Sequence, residues 1–343
     1  MDYFAPEAVH EPLLRNAPRV LRFDASKDYA VWRKAVRRKL RQLLGVMPSP
    51  VPPEVRVEWE QSREQDDTAF TERRFIFTSE AFADVPCHLL IPKTGRKPFP
   101  VVICLQGHST GMHISLGRTK FEGDEKSLGG DRDFGIQAVR RGYAALVMEQ
   151  RCFGERQDSR DEPMRGLKHT CHHASMVALL LGRTMIGERL WDVSRAIDVL
   201  RTFPEVDGRR IACMGNSGGG TITYFAACLE RRISVAMPSC YVCTFKDSIG
   251  SIDHCPDNYI PGILRWFEMG DLACLIAPRP LIVVAGKHDD IFPFHAVEET
   301  FETIKEIYRA AGAPDRCSLI VGEEGHRFYA AQAWPEFRRL ARW

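Results

Sequence analysis

Three side chains in this sequence have the types and the order needed for acyl transfer by a serine nucleophile: Ser217, Asp289 and His326. Ser217 stands in Gly215-Asn216-Ser217-Gly218-Gly219-Gly220, between the strand-like run Arg210-Ile211-Ala212-Cys213-Met214 and a helical pattern over Gly219 to Leu229. A serine on a sharp strand-to-helix turn has a strained backbone, so its neighbours must be small enough to let the chain pass. Glycines two residues before and two after meet that need. The N-terminus of the following helix adds a field that favours negative charge.

A serine hydroxyl is a weak nucleophile until a base takes its proton and a third group orients that base. Asp289 follows the apolar run Leu281 to Ala285, in Gly286-Lys287-His288-Asp289-Asp290, with Asp290 as the alternative acid. His326 follows the run Cys317 to Val321, in Gly322-Glu323-Glu324-Gly325-His326. Taken singly, each has an ordinary reading: a glycine-rich helix start, a turn carboxylate, an exposed loop histidine. Together they sit at successive strand ends in the order Ser, Asp, His, which is the order this kind of nucleophile turn uses. His288 and His295 compete for the base, but neither follows the last strand.

Acyl transfer also needs donors aimed at the oxygen that becomes negative. The backbone amide of Gly218 is one candidate. The second is the amide of His108, in Leu105-Gln106-Gly107-His108-Ser109, where Gly107 gives room for close approach. Arg151 after one strand end, and Tyr241, Trp266 and Phe267 after another, are expected substrate contacts. Their competing readings are a loop anchor for Arg151 and core packing for the aromatics.

The elements that must position these groups are legible as a pattern. From Val101 onward, short apolar runs alternate with helical stretches, as a parallel sheet buried on both faces requires. The expected strands are Val101 to Leu105, Tyr143 to Met148, Arg210 to Met214, Ser234 to Met237, Leu281 to Ala285 and Ser318 to Val321. The expected helices are Phe134 to Arg141, Ile186 to Arg201, Gly219 to Leu229, His295 to Ala311 and Ala330 to Arg342. The alternating segments Val55 to Trp59, Arg74 to Thr78 and Cys87 to Ile91 suit an antiparallel edge. The fold class is therefore α/β: a mostly parallel sheet flanked by helices over residues 51–343, preceded by a helical arm over residues 1–50. In that arm Ser26 is the expected N-cap of a helix that Pro48 and Pro50 end. Residues 151–182 and 238–272 fit neither period and fall after strand ends, so they are expected as a lid or pocket wall.

Composition narrows the function classes. A net charge of +2 over 343 residues gives no electrostatic case for nucleic acid or for an anionic membrane surface. No apolar run approaches the ~18 residues a membrane helix needs, and the first residues lack a secretory pattern, so a cytoplasmic protein is expected. Its eleven cysteines are then expected as free thiols, with Cys104, Cys213 and Cys228 packed as small hydrophobes. The clusters His169-Thr170-Cys171-His172-His173, Cys240-x-x-Cys243 and His254-Cys255 have irregular spacing for a zinc site, so no metal is expected. No lysine followed by Ser or Thr completes a phosphate loop after Gly129-Gly130 or Gly218-Gly219-Gly220.

The nucleophile turn, Gly286-x-x-Asp289-x-x-x-Pro293, Gly325-His326, Cys104-Leu105-Gln106-Gly107-His108, Gln150-Arg151-Cys152-Phe153-Gly154-Glu155-Arg156 and Trp191 to Asp198 together resemble the α/β-hydrolase superfamily. Within it, the likeness is to bacterial acetyl xylan esterase-like and dienelactone hydrolase-like proteins, over roughly residues 75 to 343. The resemblance implies hydrolysis of small esters, acetylated sugars among them, through an acyl-enzyme and without a cofactor. It also implies a possible homo-oligomer. This chain departs from it in having Ser217 where dienelactone hydrolases use cysteine, and Arg151-Cys152-Phe153 and His326-Arg327 where characterised deacetylases have Arg-Gly-Gln and His-Glu. Two other readings share parts of the pattern. One is a peptidase or amidase of prolyl-oligopeptidase type, for whose β-propeller the stretch before Val101 is too short. The other is a non-catalytic binding protein, which has no need of an ordered triad.

Overall fold

The arm begins with α1 (Glu7–Arg15) and α2 (Tyr29–Leu44) in the computed structural model, which describes residues 4–52, 54–65, 68–159 and 171–343. Asp28 rather than Ser26 caps α2, its carboxylate accepting from the Val31 amide at 2.8 Å. Ser26 instead donates to Asp24. Trp32, Val36, Leu40 and Leu44 recur every third or fourth residue, so α2 buries one stripe in the main core.

Among the described residues, nine strands form one sheet in the order β1-β2-β3-β5-β4-β6-β7-β8-β9. The antiparallel edge is β1 (Val55–Gln65), β2 (Thr68–Glu80) and β3 (Ala83–Pro92). These strands run well beyond the alternating segments seen in the sequence, because strand pairing carries β1 and β2 through polar residues. β3 also pairs antiparallel with β5 (Ala144–Met148). The remaining pairs are parallel: β4 (Phe99–Leu105), β6 (Val206–Asn216), β7 (Ile233–Ser239), β8 (Leu281–Gly286) and β9 (Cys317–Gly322). All six expected parallel strands are present.

Side-chain alternation explains the two-sided core. Val101, Ile103 and Leu105 of β4 enter one apolar cluster with α2, while Val102 and Cys104 enter another. The first cluster also holds α6 (Met185–Leu200), α7 (Gly218–Leu229) and α8 (Phe294–Ala310). The second holds α4 (Phe134–Arg140), which follows α3 (Asp124–Gly129), and α9 (Ala330–Ala341). The chain leaves β4 for α4 on one face and leaves β6 for α7 on the other. Their neighbouring C-terminal ends therefore form a topological switch point, where a crevice opens at the sheet edge.

The first insertion contains a further helix, α5 (His172–Leu180), and the second is built from short 3₁₀ turns. The part of the first insertion that includes His169 and Thr170 lies outside the described residues. The cysteine expectation needs one correction: Cys171 and Cys255 are joined as a disulfide, bridging the two insertions. Cys104, Cys213 and Cys228 are free and buried. No helix among the described residues is long and apolar enough to cross a membrane.

Candidate active site

Ser217 follows β6 at the switch point, with φ 57° and ψ −124°. This left-handed backbone is costly for a serine and persists only because its surroundings impose it. They do so on three sides. The Ser217 amide donates to Ser239 O at 2.9 Å, its carbonyl accepts from the Thr221 amide at 2.9 Å, and the loop after β4 presses against it. A Cβ on Gly107 would lie 2.6 Å from Asn216 O and 2.9 Å from Ser217 Cβ, so only glycine lets the two loops meet. The Gly218 amide opens α7 and belongs to the first turn, whose N–H groups have no partner within the helix.

The structure pairs His326 Nδ1 with Asp289 Oδ2 at 2.8 Å, while Asp290 is exposed. Asp289 Oδ1 accepts from the Ile291 amide at 3.0 Å and the Phe292 amide at 3.1 Å, which locks the carboxylate toward the histidine. Burial raises the pKa of this carboxyl, but the His326 hydrogen bond and charge and the two amides outweigh it and hold it below the ordinary value. The Asp289 side chain is 1% exposed and that of His326 is 18% exposed, so the acid is sealed and the base reaches the surface. Phe292 stacks on the imidazole, with centroids 5.9 Å apart and planes 19° apart.

Cys240 ties the two halves together. It follows Ser239, the acceptor of the Ser217 amide, and its Sγ lies within 4.8 Å of the Asp289 and His326 ligand atoms. Burial and the Asp289 charge push this thiol well above its usual pKa, so it stays protonated and donates to Arg327 O at 3.1 Å. No hydrogen bond joins Ser217 Oγ to His326 in this geometry. Such contacts are often open in a resting site and close around substrate.

The loop after β4 carries more structure than its sequence suggested. The His108 ring covers Gly218: a Cβ there would lie 3.1 Å from His108 Nδ1 and 3.6 Å from Phe153 Cζ. Phe153 packs edge-on against His108 at 4.9 Å between centroids. Beneath the loop, Glu149 accepts from Gln106 Nε2, from the Met112 amide at 3.2 Å and from the Glu155 amide at 3.3 Å. Burial raises the Glu149 pKa to about 7 against the pull of those amides. Gln150 Nε2 donates to Gln106 O at 2.5 Å.

The expected substrate contacts are placed differently. Arg151 binds Asp192 through two nitrogens at 2.8 and 2.9 Å, Glu188 at 2.9 Å and Glu80 at 2.7 Å, so its donors are committed to anchoring. Trp266 faces the arm, where Lys39 Nζ sits 3.7 Å from its ring centroid and the Leu21 amide donates to its carbonyl at 2.7 Å. Phe267 is fully buried core. Tyr241 is also buried, packed on Phe225 and Phe292 behind the nucleophile turn, and its hydroxyl has no hydrogen-bond partner.

Two cavities flank the crevice. One of about 310 Å³ opens beside His326 between Gly130, Arg132 and Arg327. A larger one of about 700 Å³ lies behind the β4 loop, lined by Trp59, Arg74, His88 and Arg118, and neither Ser217 nor His326 lines it. Sequence reasoning missed Phe153, Glu149 and Asp257 as neighbours of the site. Glu149 alone carried a signal, as a carboxylate one residue past a buried strand.

Comparison with known proteins gives the same frame. A family model described as the Abhydrolase family matches residues 8–330. The chain is 26% identical over 311 residues to YtaP of Bacillus subtilis (strain 168), which bears a provisional hydrolase name, across 90% of this chain and 98% of that one. A Bacteroides fragilis NCTC 9343 structure provisionally named an acetyl xylan esterase superposes with TM-score 0.73 at 16% identity, over 99% of this chain and 90% of that one. The glucuronoyl esterase from Solibacter usitatus superposes with TM-score 0.69 at 16% identity, over 95% and 97%. At such identities the two structures share the fold.

Proposed function

Since this chain belongs to the Abhydrolase family, we propose that it is a serine-dependent carboxylic-ester hydrolase working through an acyl-enzyme on small acyl esters, acetylated sugars among them. The observation that carries the reading is the oriented pair His326–Asp289 at 2.8 Å, on the same sheet edge as a strained Ser217. In the proposed cycle His326 Nε2 takes the Ser217 proton as Oγ attacks the ester carbonyl, and Asp289 stabilises the resulting imidazolium. The Gly218 and His108 amides receive the oxyanion. His326 then protonates the departing alcohol, and a water activated by the same histidine releases the acid.

His108 and Phe153 stand over Gly218, so in this reading their side chains border the acyl group. Named acetyl xylan and glucuronoyl esterases among the structural neighbours support the choice of ester bonds on carbohydrate. The test is hydrolysis of p-nitrophenyl acetate and of acetylated xylo-oligosaccharides by the wild type and by Ser217→Ala. Wild-type turnover, with a loss of at least ~10⁴-fold in a normally folded variant, is expected for removal of a nucleophile. Undiminished hydrolysis by Ser217→Ala would overturn the mechanism.

A further inference from the structure

Two residues from the sequence clusters set aside as irregular, Cys171 and Cys255, meet in space beside His108 and Asp257. The Nε2 of His108, the two sulfurs and a carboxylate oxygen of Asp257 all lie within 4.8 Å of one another. Cys171, Cys255 and Asp257 are buried. His108 Nε2 is 3.5 Å from Cys171 Sγ and 3.1 Å from Asp257 Oδ2. In a tetrahedral zinc site, bond lengths of ~2.3 Å to sulfur and ~2.0–2.2 Å to nitrogen or oxygen require ligand-to-ligand edges of roughly 3.3–3.8 Å. The two edges seen here need little adjustment, and the bonded sulfurs must part.

We propose that, with both thiols unoxidised, His108, Cys171, Cys255 and Asp257 bind one borderline-soft divalent cation, zinc by preference. The donor set is the kind that selects zinc over magnesium or calcium, which take oxygen ligands. Charge also balances. Two thiolates and a carboxylate around a divalent ion leave one negative charge, and the Arg189 guanidinium, 2% exposed and 2.5 Å from the same Asp257 oxygen, neutralises it. Four protein ligands leave no open position, so the ion is structural. It pins α5 and the second insertion to the β4 loop. Coordination through Nε2 leaves the His108 proton on Nδ1, the ring nitrogen nearest Gly218. His108 thereby acts as a positioning residue for the oxyanion loop.

Metal binding is read directly, so the outcome stands whatever the chain hydrolyses. The full-length protein, purified under a phosphine reductant, is titrated with Zn²⁺ and separately with Co²⁺. One ion per chain is expected, with the thiolate-to-cobalt charge-transfer band in the near ultraviolet. Cys255→Ser and Cys171→Ser should each weaken Zn²⁺ binding by at least ~100-fold and abolish that band. Far-ultraviolet circular dichroism checks their folding, and the wild-type titration stands alone if either fails to fold. Absence of the cobalt band in the reduced wild type overturns the proposal, whether thiol counting finds all eleven cysteines free or mapping finds the pair still bonded. Equal Zn²⁺ affinity in the folded serine variants overturns it as well.

Discussion

Two buried carboxylates, Asp289 and Asp192, are held by basic side chains in this molecule, and the two partners are of different kinds. Asp192 accepts from Arg151 and Arg156, in a network where Arg151, Arg156 and Arg183 face Glu80, Glu188 and Asp192. Three guanidinium groups face three carboxylates there. Asp289 instead faces one histidine that reaches the surface. An imidazole can accept a proton at one ring nitrogen while the other stays hydrogen-bonded, and a guanidinium, with donors only, cannot. Both carboxylates are held below their ordinary pKa against the cost of burial, so a depressed value alone does not separate scaffold from site.

The sharpest way to break the comparison is to neutralise each aspartate in turn. Asp289→Asn should lower kcat by ~10⁴-fold in steady-state ester hydrolysis with little change in unfolding midpoint, because the histidine loses its orienting acceptor. Asp192→Asn should do the reverse. It leaves buried arginines short of a partner, costing about 3–5 kcal/mol in denaturant unfolding, while the folded fraction keeps most of its turnover.

A third carboxylate tests the role of burial without a cation. Glu149 has its pKa raised to about 7, above the ordinary value near ~4.3 of an unfolded chain. A raised folded value means that the stability it contributes is full below the unfolded pKa and is lost as pH rises through about 7. Glu149→Gln has no such titration. Between pH 8 and pH 5 the wild type should therefore gain on the variant, by at most on the order of 3 kcal/mol, in unfolding free energy measured across pH. An unchanging difference would place the Glu149 pKa outside that window. The smallest effect concerns the aromatics. Trp266→Ala should leave kcat/KM nearly unchanged and lower the unfolding midpoint, since Trp266 packs against the arm beside Lys39.

Much of this is legible in the sequence. Ser217, Asp289 and His326 each follow an apolar run long enough to be a strand, and the periods around them fix the parallel order. The sequence favours Asp289 with Asp290 as its alternative, since adjacent residues share most local signals. The amides of Ile291 and Phe292 decide it. The expected substrate contacts failed for a different reason. Tyr241, Trp266 and Phe267 lie in a segment without periodicity, so nothing in their order says whether they face the crevice, the core or the arm.

By itself, then, the sequence determined which groups could do the chemistry and that strand ends would carry them, because both follow from residue type and from periods of two and 3.6 along the chain. Only the tertiary structure decided which insertion residues come near the site. Phe153 and His108 over Gly218, and Cys171 and Asp257 beside His108, are meetings between segments far apart in sequence. Such meetings depend on how irregular loops fill the space above the sheet, and no local pattern encodes that.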